Sequence, residues 1–206
     1  MRRFALCVTL ILTLLIASGV QAQTETPTPS PTPAATATLS GDMLTVQISN
    51  GLDDVNESDG TLTADAAEVW VGNGDSVEGQ YLGLRFRGLS ITRGSIIQSA
   101  YLEFYTVQEQ WIAISAVIAA EASDNSPAFA QDSLLSQREL TATQVEHESN
   151  SKWEAESWQP FDEMAAVVQE VVDRSGWRSG NNIAFILKGT QASGDFGRKF
   201  FTALEG

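Results

Sequence analysis

The chain has 206 residues, with 12 Lys plus Arg against 26 Asp plus Glu and a formal net charge of −14. A surface this acidic repels phosphate, which disfavours nucleic-acid and anionic-membrane partners and leaves neutral molecules and cations. The single Cys lies in the N-terminal apolar segment and there is one His, so the rest of the chain has no disulfide, thiolate metal site, cysteine nucleophile or histidine metal cluster.

Residues 1–22 have the make-up of an export signal. Arg2 and Arg3 give a positive start, Phe4 to Ile16 is almost continuously apolar, and Val20-Gln21-Ala22 supplies a cleavage site. The apolar run falls short of the roughly 20 residues that span a bilayer, so cleavage after Ala22 and a secreted, extracellular product are expected, with no stable membrane insertion. Cys7 precedes most of the apolar run and does not suit a lipid anchor. Removing residues 1–22 takes away two Arg and no acid, leaving 10 basic against 26 acidic residues and a net −16.

Residues 23–40 alternate Pro27, Pro29, Pro31 and Pro33 with Thr and Ser, a composition that buries little and prefers extended conformations. They read as a linker to one domain over residues 41–206. There the apolar residues recur with period two, the mark of half-buried strands. Leu44, Val46 and Ile48 share a face, as do Val69 and Val71, then Leu82, Leu84 and Phe86. Ser95 to Val107 is the longest run, and Ile112 to Ala120 and Asn182 to Lys188 complete six strands. Turns such as Gly72-Asn73-Gly74-Asp75 favour short antiparallel connections. One segment departs from this period. Over Asp162 to Arg174, Met164, Val167, Val168 and Val171 repeat at helical spacing, with Asp162 placed to cap the start and Gly176 placed to end the helix in the left-handed conformation. Trp177 is expected to be structural. The fold class is therefore all-β, a jelly-roll-like antiparallel β-sandwich with one short amphipathic helix.

Four segments carry a family resemblance: Leu82-Gly83-Leu84-Arg85-Phe86, the stretch from Gly94 to Phe104, the stretch from Val167 to Trp177, and Gly180-Asn181-Asn182. Together they resemble bacterial secreted jelly-roll domains of the DNRLRE and disaggregatase-related type, some of which are classed as carbohydrate-binding modules. The resemblance covers about residues 43–204 and implies a secreted, cell-surface sandwich. In such domains a short apolar closing strand follows the segment similar to Phe200-Phe201-Thr202-Ala203-Leu204. This sequence stops at Glu205-Gly206, so an exposed sheet edge beside Asn182–Lys188 is expected.

Catalytic chemistry finds little support. His147, between Glu146 and Glu148, is expected to be solvent-exposed, and no Ser sits in a nucleophile elbow. Carboxylate pairs such as Glu154/Glu156 or Glu103/Glu109 arise by chance among 26 acids. The acidic run containing Asp53, Asp54, Asn56, Glu57 and Asp59 offers hard oxygen ligands for a structural calcium, or else a solvated turn; it does not match an EF-hand. Aromatic rings stack on the C–H faces of sugars. Trp70, Tyr81, Tyr101 and Tyr105 fall opposite the predicted core face and Trp111 opens the next strand, so these five are the candidate ligand-binding residues. Covered by loops, the same rings would be core. Trp153 and Trp158 are expected to pin an irregular segment to the sandwich edge. The sequence thus points to a non-catalytic module binding neutral or cationic polysaccharide or cell-surface glycan. A structural or adhesive domain is the alternative, and a small polysaccharide-degrading enzyme comes third.

Overall fold

The computed structural model describes residues 11–17, 38–40, 43–73, 80–190 and 197–202. In chain order the strands are β1 (Ile11–Ala17), β2 (Thr38–Ser40), β3 (Met43–Gln47), β4 (Asp54–Ser58), β5 (Thr61–Ala64), β6 (Glu68–Gly72) and β7 (Gln80–Leu89). They continue with β8 (Ile96–Thr106), β9 (Ile114–Ala120), β10 (Val145–Ser149) and β11 (Ser157–Pro160). The helix α1 (Ala165–Val172) then precedes β12 (Asn181–Gly189) and β13 (Arg198–Thr202). A first sheet runs β11-β8-β1-β3-β2, a second runs β10-β9-β12-β7-β4-β5, and β13 pairs with β6 in a ribbon. The paired strands are antiparallel. The chain is an all-β sandwich with one helix.

The alternation of the sequence becomes the two facing surfaces of that sandwich. Leu44 and Val46 of β3 and Ala100, Leu102 and Phe104 of β8 line one side. Leu82, Leu84 and Phe86 of β7, Ile114, Ala116 and Ile118 of β9, and Ile183, Phe185 and Leu187 of β12 line the other. Each large side chain buried here contributes roughly 1.5 to 3 kcal/mol. Phe86 meets Phe185 edge-on with ring centres 5.8 Å apart, and Phe104 lies 4.3 Å from Phe161 and 4.4 Å from Phe201, so the ribbon is joined to the first sheet through rings.

The helix adds a third surface, with Ala165, Val167, Val168, Val171 and Val172 buried. It is shorter than the expected 162–174, and its start is held differently. Asp162 does not cap it; its carboxylate accepts from the His147 Nδ1–H at 2.9 Å. Glu163 takes the capping role instead, with Oε1 accepting from the backbone N–H groups of Ala165 at 2.6 Å and Ala100 at 3.0 Å, which ties the helix start to β8. At the other end Gly176 is absent from the positive-φ residues. It is needed for room: a Cβ there would fall 1.8 Å from the Asp124 carboxylate. Trp177 is fully buried, its indole N–H donating to the Ile91 carbonyl at 2.9 Å, in keeping with the structural role expected of it.

Two expectations are corrected. Asn182–Lys188 does not border an open edge, because β12 lies between β9 and β7. The acidic run after Leu52 is also more than a solvated turn. Asp54–Ser58 is a strand, joined to β5 by a tight turn in which Asp59 (φ 50°) and Gly60 (φ 75°) both take the left-handed conformation.

Candidate functional site

The five aromatics singled out in the sequence are distributed over different surfaces. Tyr81 lies on the outward side of β7, in the second sheet, packed against a second cluster made of Val55, Phe129, Leu135, Ala184 and Ile186. Trp70 belongs to the β6–β13 ribbon. The Arg198 guanidinium stacks over its ring at 3.8 Å, and its backbone is clamped by Asn56, which accepts from the Trp70 N–H at 2.9 Å and donates to its carbonyl at 2.8 Å. Both rings are engaged in holding elements together.

Tyr101 and Tyr105 are brought together on the outward face of β8, with Glu103 between them, because residues two apart on a strand share a side. β11 pairs with β8 in a register that sets Trp158 opposite Tyr105 and Pro160 opposite Glu103. The Tyr105 and Trp158 ring centres are 5.2 Å apart at 58°, and Trp158 remains 37% exposed. Trp158 thus holds the segment at the sheet edge through Tyr105 while keeping part of its ring in solvent, and Trp153 is buried and covered by the Lys199 ammonium at 4.6 Å. The alternation Ser157-Trp158-Gln159-Pro160 carries the signal for Trp158, which a run of four residues made easy to miss.

Trp111 is 69% exposed, the most open of the five. Its indole N–H donates to Glu109 at 2.7 Å and the Lys152 ammonium sits over the ring at 4.9 Å. Lys152 also pairs with Glu109 at 2.7 Å and Glu154 at 2.9 Å. The hydrogen bond from Lys152, then that from Trp111, holds the Glu109 carboxyl below the usual carboxylate range. A general acid needs the opposite shift.

The acidic strand is divided between its two faces. Asp53 is buried and bridges Arg85 at 2.8 Å and Arg87 at 2.7 Å. Glu57 accepts from the Ser136 hydroxyl at 2.6 Å and the Ser136 N–H at 3.0 Å. Asn56 points the other way, into the ribbon, and Asp59 stands in the turn. Among the described residues no three His, Cys, Asp or Glu side chains form a group able to hold a metal ion.

His147 is buried, not exposed. It stacks on Phe161 at 3.8 Å, and burial, the largest influence, holds its pKa below the usual imidazole value even though Asp162 pulls the other way. Beside this strand Lys199, fully buried, donates to the Ser151 carbonyl at 2.6 Å, and desolvation lowers its pKa to about 8. A pocket of about 240 Å³ lined by Ser115, Val117, Glu146, Glu148 and Thr190 lies on the second sheet, away from the β8–β11 aromatics.

No family model, no curated protein and no solved structure matches the chain. The resemblance to secreted jelly-roll modules rests on the sequence segments alone. Among the described residues no helix is long and apolar enough to cross a membrane.

Proposed function

We propose that the chain is a secreted, non-catalytic module that binds neutral or cationic glycans on the outward face of β8 and β11. The observation that supports this reading is the Tyr105–Trp158 pair, two rings in contact on an outward strand face with Tyr101 one repeat along. Rings so placed offer flat apolar surface to the C–H faces of a sugar, and their O–H and N–H groups offer donors at its edge. Glu103, between the tyrosines, favours an amino sugar over a uronic acid, as does the net −16 of the chain without residues 1–22, 10 basic against 26 acidic residues. A few stacked rings, less the cost of ordering a flexible sugar, suggest dissociation constants from roughly micromolar to millimolar.

The test is a glycan-array screen of the secreted protein followed by calorimetric titration of the best neutral or cationic oligosaccharide. Trp158→Ala and Tyr105→Ala are expected to weaken binding at least about tenfold, about 1.4 kcal/mol each, while far-ultraviolet circular dichroism stays unchanged. Tyr81→Ala is the contrasting variant: it should alter stability and leave affinity alone. Equal affinity in wild type and Trp158→Ala would remove the platform.

A further inference from the structure

Ten Lys and Arg follow residue 22, the 12 of the chain less Arg2 and Arg3, and each of them finds its contacts outside the outward face of β8 and β11. Several cover aromatic rings of their own chain: Lys152 lies over Trp111, Arg198 over Trp70 and Lys188 over Tyr81. The β8–β11 face is the exception. It groups Tyr101, Tyr105 and Trp158 around a carboxylate, Glu103, and among the described residues no cation reaches any of the four. We propose that this face is a receptor for an organic ammonium group, with Glu103 as its specificity-determining residue, so that the glycans it takes are those with a free amine. The inference rests on the glycan reading and narrows it.

The treatment of the other acids sets Glu103 apart. Buried Asp53 bridges two arginines, Glu57 accepts from Ser136, and Glu121 pairs with Arg138. Glu103 is half-buried, yet neither its carboxylate nor the hydroxyls of Tyr101 and Tyr105 have a hydrogen-bond or ion-pair partner among the described residues. Taking a carboxylate partly out of water without a partner costs free energy that an incoming cation can recover. Each tyrosine lies two residues away on the same side of the strand, about 7 Å along it. Across the strand pair, Pro160, which has neither charge nor N–H, stands opposite Glu103, and Trp158 stands opposite Tyr105. The faces of the rings carry negative potential, so they attract a cation to the place where the carboxylate also attracts it. A protonated amine on a sugar satisfies both, donating to Glu103 while the C–H surface of the sugar rests on the rings. A hydroxyl in its place keeps the stacking and loses the charge.

The experiment titrates two probes into the secreted protein: a glucosamine oligosaccharide, and the glucose oligosaccharide of the same linkage and length, in which a hydroxyl replaces each ammonium. The amine should bind at least about tenfold more tightly, and that advantage should shrink as salt is raised, because it is electrostatic. Glu103→Gln keeps the shape of the side chain and should bring the two affinities within about twofold of each other, leaving that for the glucose probe unchanged. Trp158→Ala should weaken both probes, which separates the part of the rings from that of the carboxylate. Equal affinity for the two probes in the wild type overturns the ammonium inference and leaves the glycan reading standing, as does a preference that survives Glu103→Gln. Should that variant fail to fold, the salt dependence of the wild-type preference decides, and a preference indifferent to salt overturns the inference. Binding of neither probe also overturns it; the glycan reading then stands or falls on the array screen, where other uncharged sugars can still bind.

Discussion

The outward faces of the two sheets follow the same alternation and meet different fates. On the second sheet the outward positions of β4, β7 and β12 are roofed: Val55, Ala184 and Ile186 pack beneath Phe129 and Leu135. Gly83 lies so close under that roof that a Cβ would stand 2.6 Å from the Leu135 side chain and 2.9 Å from the Phe129 ring. Arg138 locks the roof in place, paired with Glu121 at 2.8 Å and donating to the Ala128 carbonyl at 3.0 Å. On the first sheet the corresponding positions, Tyr101, Glu103, Tyr105 and Trp158, stay partly in solvent. An aromatic opposite the core is thus packing in one place and available surface in the other, and what distinguishes them is whether a connecting segment crosses above.

The largest effect should come from unlocking the roof. Arg138→Ala leaves Glu121 buried without its partner, which typically costs about 3 to 5 kcal/mol. Chemical denaturation is the measurement, and a loss under about 1 kcal/mol, the range of exposed pairs, would show that the segment is not held by charge. Next comes Leu135→Ala. This side chain is almost wholly buried, and truncation should cost about 2 to 5 kcal/mol through lost burial and the cavity left behind. Neither change should alter glycan affinity, since both act on the other sheet.

A smaller, pH-dependent effect should come from the two buried bases between β10 and β13. The folded-state pKa of His147 lies below its ordinary 6.5, so the unfolded chain takes up the proton first and stability falls as pH drops below about 6.5. Lys199 obeys the same sign at higher pH. With a folded value of about 8 against 10.5, its contribution is complete above 10.5 and lost as pH falls towards 8. Melting curves of wild type, His147→Gln and Lys199→Met across pH 5 to 10.5 separate the two windows. A Lys199→Met variant with an unchanged alkaline slope would remove that lysine from the account.

The six strands expected from alternation are all present, because each places large apolar residues on one side often enough for period two to stand out. Three of the strands that escaped notice bury polar residues whose partners lie elsewhere in the chain. β4 buries Asp54 and Asn56, β10 buries His147 and β13 buries Lys199, choices that look like surface until the partners are known. The helix was legible from its valines, while its ends were not: Glu163 wins the N-terminus because it can also reach the Ala100 N–H. For the candidate site, Tyr101 and Tyr105 share a face by spacing alone. That Trp158 joins them depends on β11 pairing with β8, a contact between residues more than 50 apart in sequence that no local pattern encodes.

The smallest effect on stability, and the one that best defines the extent of the open face, belongs to Trp111. Its ring is mostly in solvent and its fixed contacts are Glu109 and Lys152, an exposed arrangement of the kind worth about 0 to 1 kcal/mol. Trp111→Ala should therefore leave the melting temperature close to wild type. Those same contacts hold the ring in one orientation, which lowers the ordering cost when a sugar stacks on it. If a ligand longer than the Tyr105–Trp158 pair runs off the end of β8, the substitution should weaken binding by less than Trp158→Ala does, within about tenfold. The loss should grow with oligosaccharide length, since short sugars reach only the pair. Affinity that is unchanged at every length would confine the ligand to β8 and β11 and leave Trp111 as an exposed ring pinned by its neighbours.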